Sequence, residues 1–275
     1  MAAFEVCVRW RGLQAIEDSW EPAANLLEDI PTEFKRYVRS NKADPQVKAM
    51  TAALGKAQVG KHRYVAGLKK SPDGETVCGG SLIAPNVVLT AASCFNEGLT
   101  SVVVGTHSLT GFADGELATV TRQIEDPNGT DVGIVILDRN ITSIQPVTVS
   151  FKFTDWYTLT WVRGWGYVKS GVPKSSELNE VSVKVWNKIK RWTWLGDTVP
   201  DNIMVAGGGE GDHGCLLDLG APLISEENAF PLLVGVLRGG LCCRQRNSPG
   251  VYERIAAARA FIEPYLLKYD VLYYD

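Results

Sequence analysis

Long apolar runs are missing from this chain. No stretch approaches the roughly 18 residues a membrane span needs, so no spanning helix is expected. Neither sign of charge is in large excess: 28 Lys and Arg stand against 31 Asp and Glu, a net charge of -3. That balance gives no electrostatic case for binding nucleic acid. Histidine is scarce, with three in the chain at positions 62, 107 and 213. The six cysteines, at 7, 78, 94, 215, 242 and 243, are too widely spaced for a zinc site of the CxxC kind and form no ligand pattern with His62, His107 or His213. No metal and no other cofactor is expected. Structural disulfides are the better reading of the cysteines, and they imply an oxidising compartment. Against this stands the opening MAAFEVCVRWRG, which has no basic region followed by a long apolar core and is not expected to be a secretory signal.

What is present divides into two habits. The chain has 275 residues, 45% hydrophobic and 21% charged, which is ordinary globular composition and room for one large or two unequal domains. Residues 1–45 form a small polar unit. FEVCVRW alternates as a strand, with Phe4, Val6, Val8 and Trp10 on one face. RGLQAIEDS reads as a turn region. WEPAANLL is a second short strand or turn broken by Pro22, and DIPTEFKRYVRSN an amphipathic helix with Phe34, Tyr37 and Val38 at helical spacing. So few elements bury little core by themselves. A linker over 46–59 leads to a third and larger segment. From residue 60 to 275, short apolar runs (YVAGLKK, SLIAPNVVLTA, SVVVGTHSL, VGIVILD, LTWVRGWG, LLVGVLRGG) alternate with Gly, Asn, Asp and Pro turns. That spacing predicts an all-β barrel or sandwich.

The first segment resembles the second half of a chromodomain, of the type also found at the ends of retroelement polyproteins. The matching residues are Val8-Arg9-Trp10-Arg11-Gly12, Glu17-Asp18-Ser19-Trp20-Glu21-Pro22 and Asn25-Leu26. Chromodomains hold methyl-lysine over three aromatic faces. Here only Trp10 matches a cage position, Leu13 stands at the second, and the strand carrying the third is missing. The fragment is therefore expected to read no methyl-lysine mark, with Trp10 and Trp20 packing a small core.

Residues 60–267 resemble a trypsin-like serine protease, with motifs in family order. Cys78 to Ile83 is the CGGSLI strand, Leu89 to Cys94 stands where the family writes LTAAHC, and Asp131-Val132-Gly133-Ile134 where it writes DIAL. Gly164-Trp165-Gly166, the degenerate CLLDLGAPL from Cys215 to Leu223, and Pro249-Gly250-Val251-Tyr252 complete the series. The resemblance implies a mainly β fold: two antiparallel six-stranded barrels, the site between them, and a C-terminal helix. It also places Ser93 at the catalytic histidine, Leu219 at the nucleophile, and Asp131 at the third triad position. A serine cannot act as the base near neutral pH, and a leucine has no lone pair with which to attack. Either loss alone costs a serine protease about a million-fold in turnover. Leu217 stands at the oxyanion position, where glycine is usual. Asp131 is left to bond backbone or Ser93.

By the same resemblance, Cys78–Cys94 and Cys215–Cys243 are the expected disulfides. A third family bridge is absent at both ends, with Val205 at one and Ile189 or Lys190 at the other. His213 lies at the expected base of the specificity pocket, Arg238-Gly239-Gly240 replaces Ser-Trp-Gly on the substrate-aligning strand, and Gly250 in the PGVY turn is a further pocket position. Family zymogens are cut before Ile-Val-Gly-Gly, and the new amino terminus pairs with the aspartate corresponding to Asp218. This chain offers Ala53-Leu54-Gly55-Lys56 there, so Asp218 must find another partner.

Trypsin-like chains with a broken triad commonly serve as binding modules. GKHRYVAGLKK, VSVKVWNKIK and LLDLGAPL are most similar to the glucanase inhibitor proteins of plant-pathogenic oomycetes, virulence factors that are secreted and block plant endo-β-1,3-glucanase. The resemblance implies a secreted pseudo-protease with that protein partner, bearing glycans if the sequons at Asn128 and Asn140 are used. Two alternatives compete with it: a nuclear, chromatin-associated product of a retroelement insertion, and a residual serine-type endopeptidase.

Overall fold

The computed structural model describes residues 57–166, 174–195, 200–207, 218–227, 230–240 and 249–266, with 5–8, 19–22, 37 and 40 near the amino terminus. The chain divides into two compact units, Met1–Lys56 and Ala57–Asp275.

In the first unit β1 (Glu5–Val8) pairs antiparallel with β2 (Ser19–Pro22), Glu5 opposite Pro22 and Val8 opposite Ser19. Tyr37 and Ser40 are helical. Within the alternating FEVCVRW, EVCV thus forms a strand, and SWEP pairs with it. Trp10 and Leu13 lie outside the described residues, as do the side chains of both strands.

In the second unit β3 (Val65–Lys69), β4 (Thr76–Ala84), β5 (Val87–Thr90), β6 (Ser101–Val104), β7 (Glu116–Glu125) and β8 (Gly133–Leu137) close a barrel in the order β3-β4-β5-β8-β7-β6. The unbroken apolar runs have a physical reason. Every residue of β3, β5 and β6 is buried, so neither face needs polar alternation. β7 is the exception, a long strand with much of one side in water.

The other sheet contains β9 (Thr148–Val149), β10 (Leu159–Gly164), β11 (Asn179–Lys184), β12 (Ile203–Gly207), β13 (Pro222–Glu227), β14 (Phe230–Gly240) and β15 (Pro249–Arg254). Six strands run β11-β10-β13-β14-β15-β12, and an isolated bridge between Val185 and Ala206 draws the two ends of that path together. The two six-stranded barrels of the sequence reading are present, with one addition. β9 pairs parallel to β14 through Leu232–Thr148 and Leu233–Val149. A two-residue strand carries no periodicity, so nothing in the sequence announces it.

α1 (Lys188–Leu195) lies between β11 and β12. The expected C-terminal helix is one turn of α2 (Arg259–Ile262) flanked by 3₁₀ turns at Ile255–Ala258 and Glu263–Tyr265. Phe261 and Ile262 fasten it to the core.

The barrels meet along a seam of backbone hydrogen bonds. Gly79 N donates to Leu219 O at 2.8 Å, Leu178 N to His107 O at 2.7 Å, and Ala57 N to Leu178 O at 3.0 Å. The seam positions the site.

Candidate functional site

The stretch VVLTAASCF leaves the first barrel at β5 and turns at once into a 3₁₀ segment, Ala92–Glu97, ended by Gly98 in the left-handed region at φ 71°. Cys94 in that turn is buried and bonded to Cys78 on β4, with Cα atoms 6.2 Å apart across 16 residues. A loop of that length is worth about 3 kcal/mol to the folded state. Ser93, one residue before, is thereby held at the seam.

Asp131, two residues ahead of β8, accepts from both donors of Ser93. The Ser93 N–H donates to Oδ1 at 2.7 Å and the hydroxyl to Oδ2 at 3.0 Å. Ala92 N also donates to Asp131 O at 3.3 Å. A carboxylate and a hydroxyl in direct contact, with no imidazole between them, form a structural clamp rather than a proton relay.

Behind Asp131 sits a residue that motif reasoning missed. Glu253 on β15 is 1% exposed and accepts from Asp131 N at 3.2 Å, Asn202 Nδ2 at 3.0 Å and Arg238 Nη1 at 2.9 Å. Burial pushes its carboxyl upward, and the Asp131 N–H, the Arg238 charge and the Asn202 amide offset this only in part. Arg238 thus spends its charge on Glu253. A signal was available: an acid directly after the Pro-Gly-Val-Tyr motif, in a strand whose neighbours are buried, requires a cation on the next strand.

Leu219 lies in the turn from Asp218 to Ala221, where Ala221 N donates to Asp218 O at 2.9 Å. Gly220 adopts φ 83°, and a Cβ there would stand 2.1 Å from Thr90 Oγ1 and 2.3 Å from Gly79 O. Only glycine fits. Leu219 packs partly buried against the main hydrophobic core, to which both barrels contribute. Its carbonyl accepts from Gly79, the neighbour of Cys78, so the disulfide and this bond bring Ser93 and Leu219 to one stretch of seam.

Asp218 is fully buried and has found its partner. Lys174 Nζ lies 2.9 Å from Oδ1 and also donates to Thr76 O at 2.9 Å, while Trp165 N donates to Oδ2 at 2.5 Å. An internal ammonium therefore compensates the charge. Lys174 carries no motif of its own, and only the fold reveals its role.

His213, Cys215, Leu217, Cys242 and Cys243 lie outside the described residues, as does the side chain of Cys7. Gly240 and Gly250 pair across β14 and β15. Both sequon asparagines are exposed, in different settings. Asn128 Nδ2 and Thr130 Oγ1 both donate to Asp126, at 2.9 and 2.5 Å, whereas Asn140 and Thr142 face water. Among the described residues no cluster of His, Cys, Asp and Glu suits a metal ion, and no helix is long and apolar enough to cross a membrane.

The family model described as Trypsin matches residues 55–262. The chain belongs to the trypsin family. Among its members, glucanase inhibitor protein 3 of Phytophthora sojae is 35% identical over 232 residues, spanning 78% of this chain and 88% of that one. Glucanase inhibitor protein 2 of Phytophthora infestans is 34% identical over 218 residues, 74% of this chain and 84% of the relative. Of solved structures, neuropsin, a serine protease expressed in the limbic system of mouse brain, superposes with a TM-score of 0.68 at 24% identity, covering 76% of this chain and 97% of its own. That likeness carries the trypsin-family fold of the two barrels and the seam between them.

Proposed function

We propose that this chain is a catalytically inactive trypsin-family protein that works outside the cell as a binding protein, with a plant endo-β-1,3-glucanase as the enzyme it inhibits. The observation that carries the inactive reading is the Ser93–Asp131 clamp. The position of the general base holds a serine whose two donors both bond the neighbouring carboxylate. Leu219 at the nucleophile position offers no attacking atom. Losses of this kind cost about a million-fold in turnover, with little added by the second because the triad acts as a unit. The glucanase partner is supported by the names of the relatives that match most of the chain. An extracellular setting is supported by the Cys78–Cys94 disulfide, and a glycan at the open Asn140 sequon fits the same setting.

The test is a binding and inhibition assay on the full chain, expressed under oxidising conditions. Purified plant endo-β-1,3-glucanase is titrated with it while glucan hydrolysis is followed. Binding with loss of hydrolysis, and no turnover of peptide esters by the chain itself, is the expected result. A folded, disulfide-intact chain that leaves the glucanase fully active overturns the inhibitor reading. Ester turnover blocked by a serine-directed phosphonate overturns the inactive one.

A further inference from the structure

One side of the second barrel is built unlike the rest of the surface. Of the ten large apolar side chains that stand exposed among the described residues, six gather there: Phe153, Trp156, Tyr157, Leu159, Ile189 and Trp192. Contacts tie the Phe153–Leu159 segment to α1, which carries Ile189 and Trp192. Phe153 and Trp156 meet edge to face at 5.4 Å. Leu159 on β10 pairs with Lys184 on β11, and the Tyr157 hydroxyl accepts from Asn187 Nδ2 at 2.6 Å, beside α1. Arg254 stacks on Phe153 at 4.8 Å and donates to Asp201 O, while Asp201 pairs with Arg191 of α1 at 3.3 Å.

The face is presented, not merely left over. Arg191 turns inward to bond Ile203 O, and this sets Ile189 and Trp192 outward at 74% and 48% exposure. Tyr157 holds φ 67°, the left-handed region, and is the one residue other than glycine to do so among the described residues. A bulky side chain in that region is strained, and the strain is held by the Tyr157 N to Val185 O bond and the Asn187 bond. The result is an aromatic ring 62% exposed. Exposed Trp and Tyr in one contiguous patch are the usual anchors of a protein interface.

Charge indicates what the face would meet. Lys152, Lys184, Lys188 and Lys190 stand exposed around the aromatics, and none has an acidic partner among the described residues. Lys190 lies instead over the Trp186 ring at 4.2 Å. Of the acids described nearby, Asp201 is tied to Arg191 and Glu226 to Arg163, while Asp155 is exposed. A chain with a net charge of -3 therefore carries a positive rim at this one aromatic face.

We infer that the Tyr157–Trp192 face of the second barrel, and not the seam with the former triad positions, is where this protein docks an acidic surface of its protein partner, the aromatics supplying contact and the lysines complementary charge. The inference rests on the reading of the chain as a glucanase-binding protein. Aromatic anchors control dissociation, and rim charges control association and its salt dependence.

The experiment measures binding of the full oxidised chain to an acidic plant endo-β-1,3-glucanase by surface plasmon resonance at two salt concentrations. Tyr157→Ala and Trp192→Ala are each expected to weaken binding about tenfold or more. Lys188→Glu with Lys190→Glu should slow association about tenfold at low salt and flatten the salt dependence. Phe112→Ala, exposed on the first barrel, should bind as the parent chain does. Matching thermal midpoints establish that each variant is folded. Parent binding that all face variants retain overturns the face and leaves the inhibitor reading intact, whereas no parent binding overturns both. A dimer of the chain in sedimentation that Trp192→Ala dissolves, with glucanase binding unchanged, assigns the face to a second copy and also overturns the inference.

Discussion

The two barrels of the same fold handle charge in opposite ways. In the first, Lys69 and Asp126 are buried charges answered by uncharged groups. Lys69 Nζ donates to the carbonyls of Gly74, Leu109 and Gly111 at 2.9, 3.2 and 2.7 Å, and Asp126 accepts from Asn128 and Thr130 two and four residues on. In the second, Arg163, Asp218 and Glu253 are buried charges answered by side chains of opposite charge. Arg163 on β10 holds Glu180 on β11 at 2.5 Å, Glu226 on β13 at 2.7 Å, and the Tyr64 hydroxyl just ahead of β3 at 2.7 Å. The first barrel is held by apolar packing, and the second by packing plus ion pairs that reach the seam. Stability of the first kind is insensitive to pH and salt. Stability of the second kind is not.

The largest expected effect comes from cutting the network at its centre. Arg163→Ala leaves Glu180 and Glu226 without their cation and Tyr64 without its donor. Removing one partner of a buried pair costs about 3–5 kcal/mol, which urea unfolding of the parent and variant would measure. Leu82→Ala, fully buried in the first barrel, costs about 2–5 kcal/mol through its cavity. The comparison lies in the pH dependence, because the loss at Leu82 should stay constant between pH 7 and 4 while the loss at Arg163 shrinks as its carboxylates protonate. Equal behaviour would break the contrast between the barrels.

A slightly smaller effect concerns acid. Burial alone would raise the Glu180 carboxyl, but the His62 ring at 2.8 Å and the Arg163 guanidinium bring it down from 4.5 to about 2. A carboxyl lowered in the folded state contributes stability that is whole above its unfolded value and is lost as pH falls from about 4.5 toward 2. The difference corresponds to about 3 kcal/mol. Burial also lowers His62 below 6.5, so the unfolded chain takes that proton first and stability begins to fall as pH drops below 6.5. Both act in one direction. Glu180→Gln should be less stable than the parent at pH 7 and lose less on acidification, as denaturant midpoints at pH 7, 5 and 3 would report. Parallel curves for parent and variant would place the acid sensitivity elsewhere.

What could be read from the sequence follows the same division. The strands of the first barrel were legible because apolar burial leaves periodic or unbroken runs such as VVLT and SVVV. The seam turn was legible from Cys78 and Cys94 through the family resemblance, whereas Gly220, which the geometry requires, was not singled out. Lys174, Glu253 and Arg163 were not legible as a set. Each answers a charge some 15 to 63 residues distant, and an ion pair across strands leaves no local pattern. The aromatic face escaped for a related reason. Trp156, Tyr157, Ile189 and Trp192 look like core residues until the fold shows them in water.

The smallest expected effect bears on whether the seam is structure or contact surface. Ser93→Ala removes the hydroxyl bond to Asp131 but keeps the backbone N–H bond at 2.7 Å. One hydrogen bond to a partly exposed charged group contributes on the order of 1 kcal/mol, and the disulfide one residue on still fixes the turn. The variant should therefore lose about that much stability, gain no esterase activity and, if the proposed inhibition holds, inhibit glucanase as strongly as the parent. Leu219→Ala would act in the same way through lost packing against the shared core. If Ser93→Ala instead unfolds nothing yet abolishes inhibition, the partner reads the seam itself. The second barrel's charges would then have been arranged to hold a recognition surface at the old triad positions, and its aromatic flank would lose the role assigned to it.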